Sequence, residues 1–148
     1  MSVSTDRRVQ LLQGVSLFAD LGEPALTSIA EVAIEVDFPA GRAIVRQDEV
    51  GTGFYLIAGG RARVVRDGET VAELGPGQFF GELSLLDGRP RIATVSAIEP
   101  TTCLAIASWD FETLLQAQPG VAIAILRGVA QRLREVIDES ARRLATGG

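Results

Sequence analysis

The run Phe79-Phe80-Gly81-Glu82-Leu83-Ser84-Leu85-Leu86-Asp87-Gly88-Arg89-Pro90-Arg91-Ile92-Ala93-Thr94 holds the residues best suited to chemistry. Gly75, Gly77 and Gly81 free the backbone for a tight approach. Residues 82–86 can then close one short helical turn whose unpaired N–H groups point outward, a geometry that holds a phosphate. Asp87-Gly88 reverses the chain, and Arg91 enters the next strand facing that turn. A guanidinium fork with several backbone donors around one point suits a monoanionic phosphodiester. Glu82 would repel a phosphate, so it needs another task, and accepting a hydrogen bond from a ribose hydroxyl is the natural one. The plainer alternative makes Arg91 a surface strand arginine paired with Glu82. Gly51, Gly53, Gly59 and Gly60 read as turn residues and not as ligand contacts, and Arg89 as an exposed charge.

Other chemistries are narrowed by residues the chain lacks. Its 148 residues include no histidine and one cysteine, Cys103. Histidine-dependent nucleophile pairs, His-ligated metal sites and thiolate zinc sites all go; two carboxylates could still do acid–base work, but catalysis, a metal and a resident cofactor are not expected. A net charge of −5 argues against a broad polyanion-binding surface, and no reading helix is present for a groove, so no nucleic-acid partner is expected. The polar start lacks the apolar centre of a signal peptide, and no run approaches the roughly 20 apolar residues that cross a bilayer. With a lone cysteine, these features suit a cytoplasmic protein without a membrane partner.

The elements that must position the central run fall into three zones of one domain spanning 1–148. Residues 5–32 are helical in pattern, with a break at Gly14 and a second helix opened by Glu23-Pro24. Residues 33–106 read as short strands over 33–38, 43–46, 54–58, 62–65, 70–74, 92–97 and 101–106, separated by glycine turns. Asp67-Gly68 is a two-residue hairpin signal. Strands so short and so spaced predict an antiparallel barrel, roll or jelly roll. Residues 108–144 are helical again, with Ser108 expected as an N-cap and Pro119 opening a long amphipathic helix. Its stripe of Ile125, Val129, Leu133, Val136 and Ile137 needs a surface to cover: the roll, a twin helix, or both. Trp109 and Phe111 are expected to pack the preceding short helix onto the roll, and Cys103 to be a buried hydrophobe. The arginines at 132, 134, 142 and 143 read as a solvated face.

Phe80-Gly81-Glu82-Leu83-Ser84-Leu85, followed after a short spacer by Pro90-Arg91-Ile92-Ala93-Thr94, resembles the phosphate-binding cassette of the cyclic nucleotide-binding domain family. That family includes the catabolite activator protein and protein kinase regulatory subunits. Leu17-Phe18-Ala19-Asp20-Leu21, Phe38-Pro39-Ala40-Gly41, Phe54-Tyr55-Leu56-Ile57 and Leu74-Gly75-Pro76-Gly77 sit where the family places similar runs, so the likeness covers residues 17–144.

The resemblance implies a mainly β fold, a double-stranded β-helix of jelly-roll type with N-terminal helices and a long C-terminal helix. It implies that Arg91 pairs with a cyclic phosphate and Glu82 with the ribose 2′-hydroxyl. Gly81, Leu83, Ser84, Ile92 and Ala93 would complete the cradle through their backbones. Ile92 stands where members that favour cyclic GMP often carry a hydroxyl, which leans towards cyclic AMP. Val136 and Ile137 stand where the catabolite activator protein reads adenine through hydroxyls. Leu133, Val136 and Ile137 could instead form an apolar lid, with Arg132 or Arg134 stacked on the base. The expected function is a cyclic nucleotide sensor without its own output domain, acting through an effector protein or a homodimer built on the C-terminal helix. The alternative is a dimerising module of the same fold whose pocket is degenerate or differently occupied.

Overall fold

The computed structural model describes residues 3–51, 53–81 and 87–146. Helix α1 (Thr5–Gln13) starts behind Ser4, whose hydroxyl accepts from the Arg7 N–H, and stops at Gly14. A 3₁₀ turn (Ser16–Phe18) leads to α2 (Glu23–Val32), which has a proline in its first turn. Eight strands follow: β1 (Ile34–Phe38), β2 (Ala43–Val45), β3 (Gly53–Gly59), β4 (Ala62–Arg66), β5 (Glu69–Leu74), β6 (Phe79–Phe80), β7 (Thr94–Ala97) and β8 (Thr101–Ala107). Helix α3 (Ser108–Ala117) and the long α4 (Pro119–Thr146) close the described chain. No helix among the described residues is long and apolar enough to cross a membrane.

The strands form two antiparallel four-stranded sheets, ordered β1-β8-β3-β6 and β2-β7-β4-β5, stacked as a jelly-roll-like β-roll. Alternation along β3 and β8 sorts their side chains between two cores. Phe54 lies opposite Ile106 and Leu56 opposite Leu104, and all four pack outward against α1, α2, α3 and the 3₁₀ turn. Ile57 lies opposite Cys103, and this pair faces inward, meeting Phe80, Ala62 and Val95 between the sheets. A single sheet therefore seats the helices on one face and closes the roll on the other.

Asp67 and Gly68 both take positive φ, 52° and 81°, as a primed two-residue hairpin between β4 and β5 requires. Four expectations are corrected. Strand β7 begins at Thr94, because the backbone of Arg91 is occupied by the β2–β3 loop. Strand β6, only two residues long, was not expected. Ser108 is the first helical residue, and Ala107 precedes it with extended backbone and no side-chain cap. Trp109 is 63% exposed and only Phe111 turns inward. Cys103 is fully buried, as expected.

Candidate functional site

Arg91 is 6% exposed, which removes the reading of a surface strand arginine. Its backbone is clamped before its side chain is placed. The Arg91 N–H donates to the Glu49 carbonyl (2.9 Å), its own carbonyl accepts from the Asp48 N–H (2.8 Å), and Pro90 bridges to Val50. That loop is itself tied down. The Gln47 N–H donates to Thr94 Oγ1 (2.9 Å), Gln47 Nε2 donates to Asp67 Oδ1 (2.7 Å), and Gln47 Oε1 accepts from the Asp67 N–H (2.9 Å). The β4–β5 hairpin tip therefore holds the loop, and the loop holds Arg91.

Two glycines make room for the guanidinium. A Cβ on Gly51 would collide with Arg91 Nε, Cζ and Nη2. A Cβ on Gly81 would stand 2.5 Å from Nη1 and 2.7 Å from the Gly53 carbonyl oxygen, and Gly81 has φ of 88° besides. The guanidinium thus lies against the backbone of Gly81, immediately before the turn that the sequence assigns to phosphate. Arg91 Nε and Nη1 are buried and have no hydrogen-bond partner among the described residues. Burial lowers the Arg91 pKa from its ordinary value, and Tyr55 works in the opposite direction. A buried cation with unused donors is costly unless something anionic pairs with it.

A cavity of about 390 Å³ opens at this point, within the range of small-molecule sites. Val45, Val64, Phe80 and Val95 give it an apolar wall. Gly81, Arg91, Ile92 and Ala93 line it from the cassette, with Asp87 and Arg89 at an exposed edge. Arg91 also borders a second cavity among Ile34, Val36, Ile44, Tyr55 and Trp109. The first cavity brings together an anion-pairing group and an apolar face.

Of the residues singled out from sequence, Gly81, Arg91, Ile92 and Ala93 share this wall. Glu82, Leu83 and Ser84 lie outside the described residues. Arg132, Leu133, Val136 and Ile137 are exposed on α4 and do not line the cavity, so the expected lid is not assembled here. The reason is where α4 packs. Val121, Ile125 and Gly128 are its buried positions, set against the 3₁₀ turn and α3, and beyond Gly128 the described helix is exposed. Sequence reasoning missed Gly51 and Gln47. A glycine in Gly51-Thr52-Gly53 looks like any turn glycine, because the group that needs its missing Cβ arrives from a distant strand.

Comparison with known proteins points the same way. A family model for the cyclic nucleotide-binding domain matches residues 35–118. A cyclic nucleotide-gated potassium channel of Rhizobium etli is 39% identical over 126 residues, which is 85% of this chain and 35% of the channel. The cyclic AMP receptor protein of Thermus thermophilus is 40% identical over 103 residues, covering 66% of this chain and 48% of the receptor. The chain therefore spans less than half the length of these curated relatives. The crystal structure of the N-terminal domain of a transcriptional regulator from Streptomyces coelicolor A3(2) superposes with a TM-score of 0.81 at 33% identity, covering 86% of this chain and 95% of that one.

Proposed function

The chain belongs to the cyclic nucleotide-binding domain family, and from that premise we propose that the Arg91 cavity takes a cyclic nucleoside monophosphate, cyclic AMP in preference to cyclic GMP, and acts by binding and not by catalysis. The observation that carries this reading is the buried Arg91 guanidinium, whose Nε and Nη1 have no hydrogen-bond partner among the described residues, set in a cavity with an apolar wall of Val45, Val64, Phe80 and Val95. The cyclic phosphate pairs with Arg91, the backbones of Gly81, Leu83, Ser84, Ile92 and Ala93 complete its cradle, and Glu82 accepts from the ribose 2′-hydroxyl. Preference for adenine follows from Ile92, Val45, Val64 and Val95, none of which can hydrogen-bond a base edge. Guanine brings more polar groups to that wall than adenine and leaves them unpaired.

In this reading the domain is a regulatory module and α4 carries the signal. Leu126, Val129, Leu133 and Val136 are exposed, and their alternating three- and four-residue steps match a seam between two helices. A second copy of the chain covers this stripe. When nucleotide binds, α4 shifts so that Arg132, Leu133, Val136 or Ile137 meets the base, which requires unequal affinity for the two helix positions.

Titration calorimetry with both nucleotides, on the natural chain and on Arg91→Ala, tests the assignment. Cyclic AMP is expected to bind more tightly than cyclic GMP. A lost charge-assisted contact should cost about 10- to 100-fold in affinity. Absence of heat from both nucleotides at millimolar concentration would overturn the proposal. The exposed α4 stripe also favours a second reading, a dimerising module with a differently occupied pocket, for which neither nucleotide would shift the melting temperature.

A further inference from the structure

We infer that the Arg91 site also takes an inorganic oxyanion, phosphate above all, and that the nucleotide enters by displacing it. The argument begins with the partners the guanidinium lacks. Nε and Nη1 are shielded from solvent and make no hydrogen bond among the described residues, while the residue as a whole is 6% exposed. No carboxylate among the described residues lies within ion-pair distance of it. A Cβ at Gly51 or at Gly81 would collide with the guanidinium, so no side chain at either position can bring a counter-charge.

Among the described residues, the one acid lining the cavity in front of this cation is Asp87, at its exposed edge, where Oδ1 accepts from the Arg89 N–H (2.9 Å). Asp87 is thus engaged on its own turn. A guanidinium edge, Nε with Nη2 or Nη1 with Nη2, matches two oxygens of a tetrahedral oxyanion, which a spherical chloride cannot offer, so the preference falls on phosphate. A whole-chain charge of −5 gives no general attraction for anions, which makes any such binding local to Arg91.

The consequence is regulatory. If phosphate and the cyclic phosphodiester share one cation, the apparent nucleotide affinity falls as phosphate rises, and the response threshold tracks the phosphate concentration. This second half rests on the nucleotide reading above; the first half does not.

The test uses the natural chain in phosphate-free buffer at constant ionic strength. Phosphate, and not an equal ionic strength of chloride, should raise the melting temperature. Arg91→Met, which keeps the bulk and removes the charge, should abolish that rise. For a phosphate dissociation constant near 1 mM, about 20 mM phosphate should weaken cyclic AMP binding by roughly 20-fold in calorimetry through mass action. Nucleotide binding whose affinity ignores phosphate overturns the inference and leaves the nucleotide reading intact. Phosphate protection without any nucleotide binding supports the oxyanion site and sinks the nucleotide reading instead. A phosphate effect that persists in Arg91→Met places the anion elsewhere and overturns the inference. Should Arg91→Met fold poorly, the competition arm decides by itself, since it needs only the natural chain.

Discussion

At the scale of single residues, Gly51 separates the geometry of the site from the stability of the fold. Its φ is not in the left-handed region, so alanine fits its backbone, and what a Cβ there meets is the Arg91 guanidinium. Gly51→Ala should therefore leave the melting temperature within a few degrees of the natural chain. It should weaken cyclic AMP binding by about 10-fold or more, since each 1.4 kcal/mol lost from a charge-assisted contact is tenfold. Gly81→Ala offers no such separation, because φ of 88° and the Gly53 carbonyl oppose any side chain. Cys103 gives a different handle. Burial, assisted by Asp37, pushes its thiol from an ordinary 9.0 up to about 12. The unfolded chain then releases this proton at lower pH than the folded one, so the unfolded state holds fewer protons and stability falls as pH rises. The contribution is intact below pH 9 and is lost between pH 9 and about 12. Thermal melts across that window should show a decline that is shallower in Cys103→Ala.

Elements tell where the sequence was readable and where it was not. Strands β1, β3, β4, β5 and β8 were legible because alternation and glycine turns are local signals, and Asp67-Gly68 announced its hairpin outright. Strand β6 was not, since two residues between glycine-rich turns carry no period to detect. Trp109 could have been read better. Residues two apart on a helix point about 200° apart, so Trp109 and Phe111 could not both face the roll. Arg8 shows the limit of local reading. Its guanidinium donates to the carbonyls of Ala30 (3.2 Å), Ala33 (2.8 Å) and Val3 (3.1 Å), and lies 3.9 Å from Glu35. An arginine on α1 thus satisfies the open carbonyl end of α2, where a positive charge also suits the helix dipole. Nothing in the α1 sequence announces this, because Ala30, Ala33 and Glu35 are brought by the fold. Arg8→Ala should destabilise the domain by about 1–3 kcal/mol, read in urea unfolding, because buried carbonyls lose a charged donor. Nucleotide affinity should be unchanged wherever the domain remains folded.

For the whole molecule, the question is what the far half of α4 is for. Part of the cassette grouping was legible, since Gly81, Arg91, Ile92 and Ala93 line one cavity, while Glu82, Leu83 and Ser84 lie outside the described residues. The lid half was not, because an amphipathic stripe declares that it will be covered without declaring by what. Of the stripe read from sequence, Ile125 is buried on this chain, while Leu133, Val136 and Ile137 are each more than half exposed. A helix of 28 residues runs about 42 Å at 1.5 Å per residue, longer than the surface that Val121, Ile125 and Gly128 use. Leu133→Glu distinguishes the coverings. Exposed on a single chain, Leu133 should tolerate glutamate at little cost to the fold, within about 0.5 kcal/mol. Across a two-helix seam, it would place two like charges in an apolar interface. Light scattering is therefore expected to show a dimer for the natural chain and a monomer for Leu133→Glu, with cyclic AMP affinity reduced in the variant if the same helix also meets the base. A natural chain that is monomeric at every concentration would remove the seam, and an unchanged nucleotide affinity in Leu133→Glu would remove Leu133 from the lid.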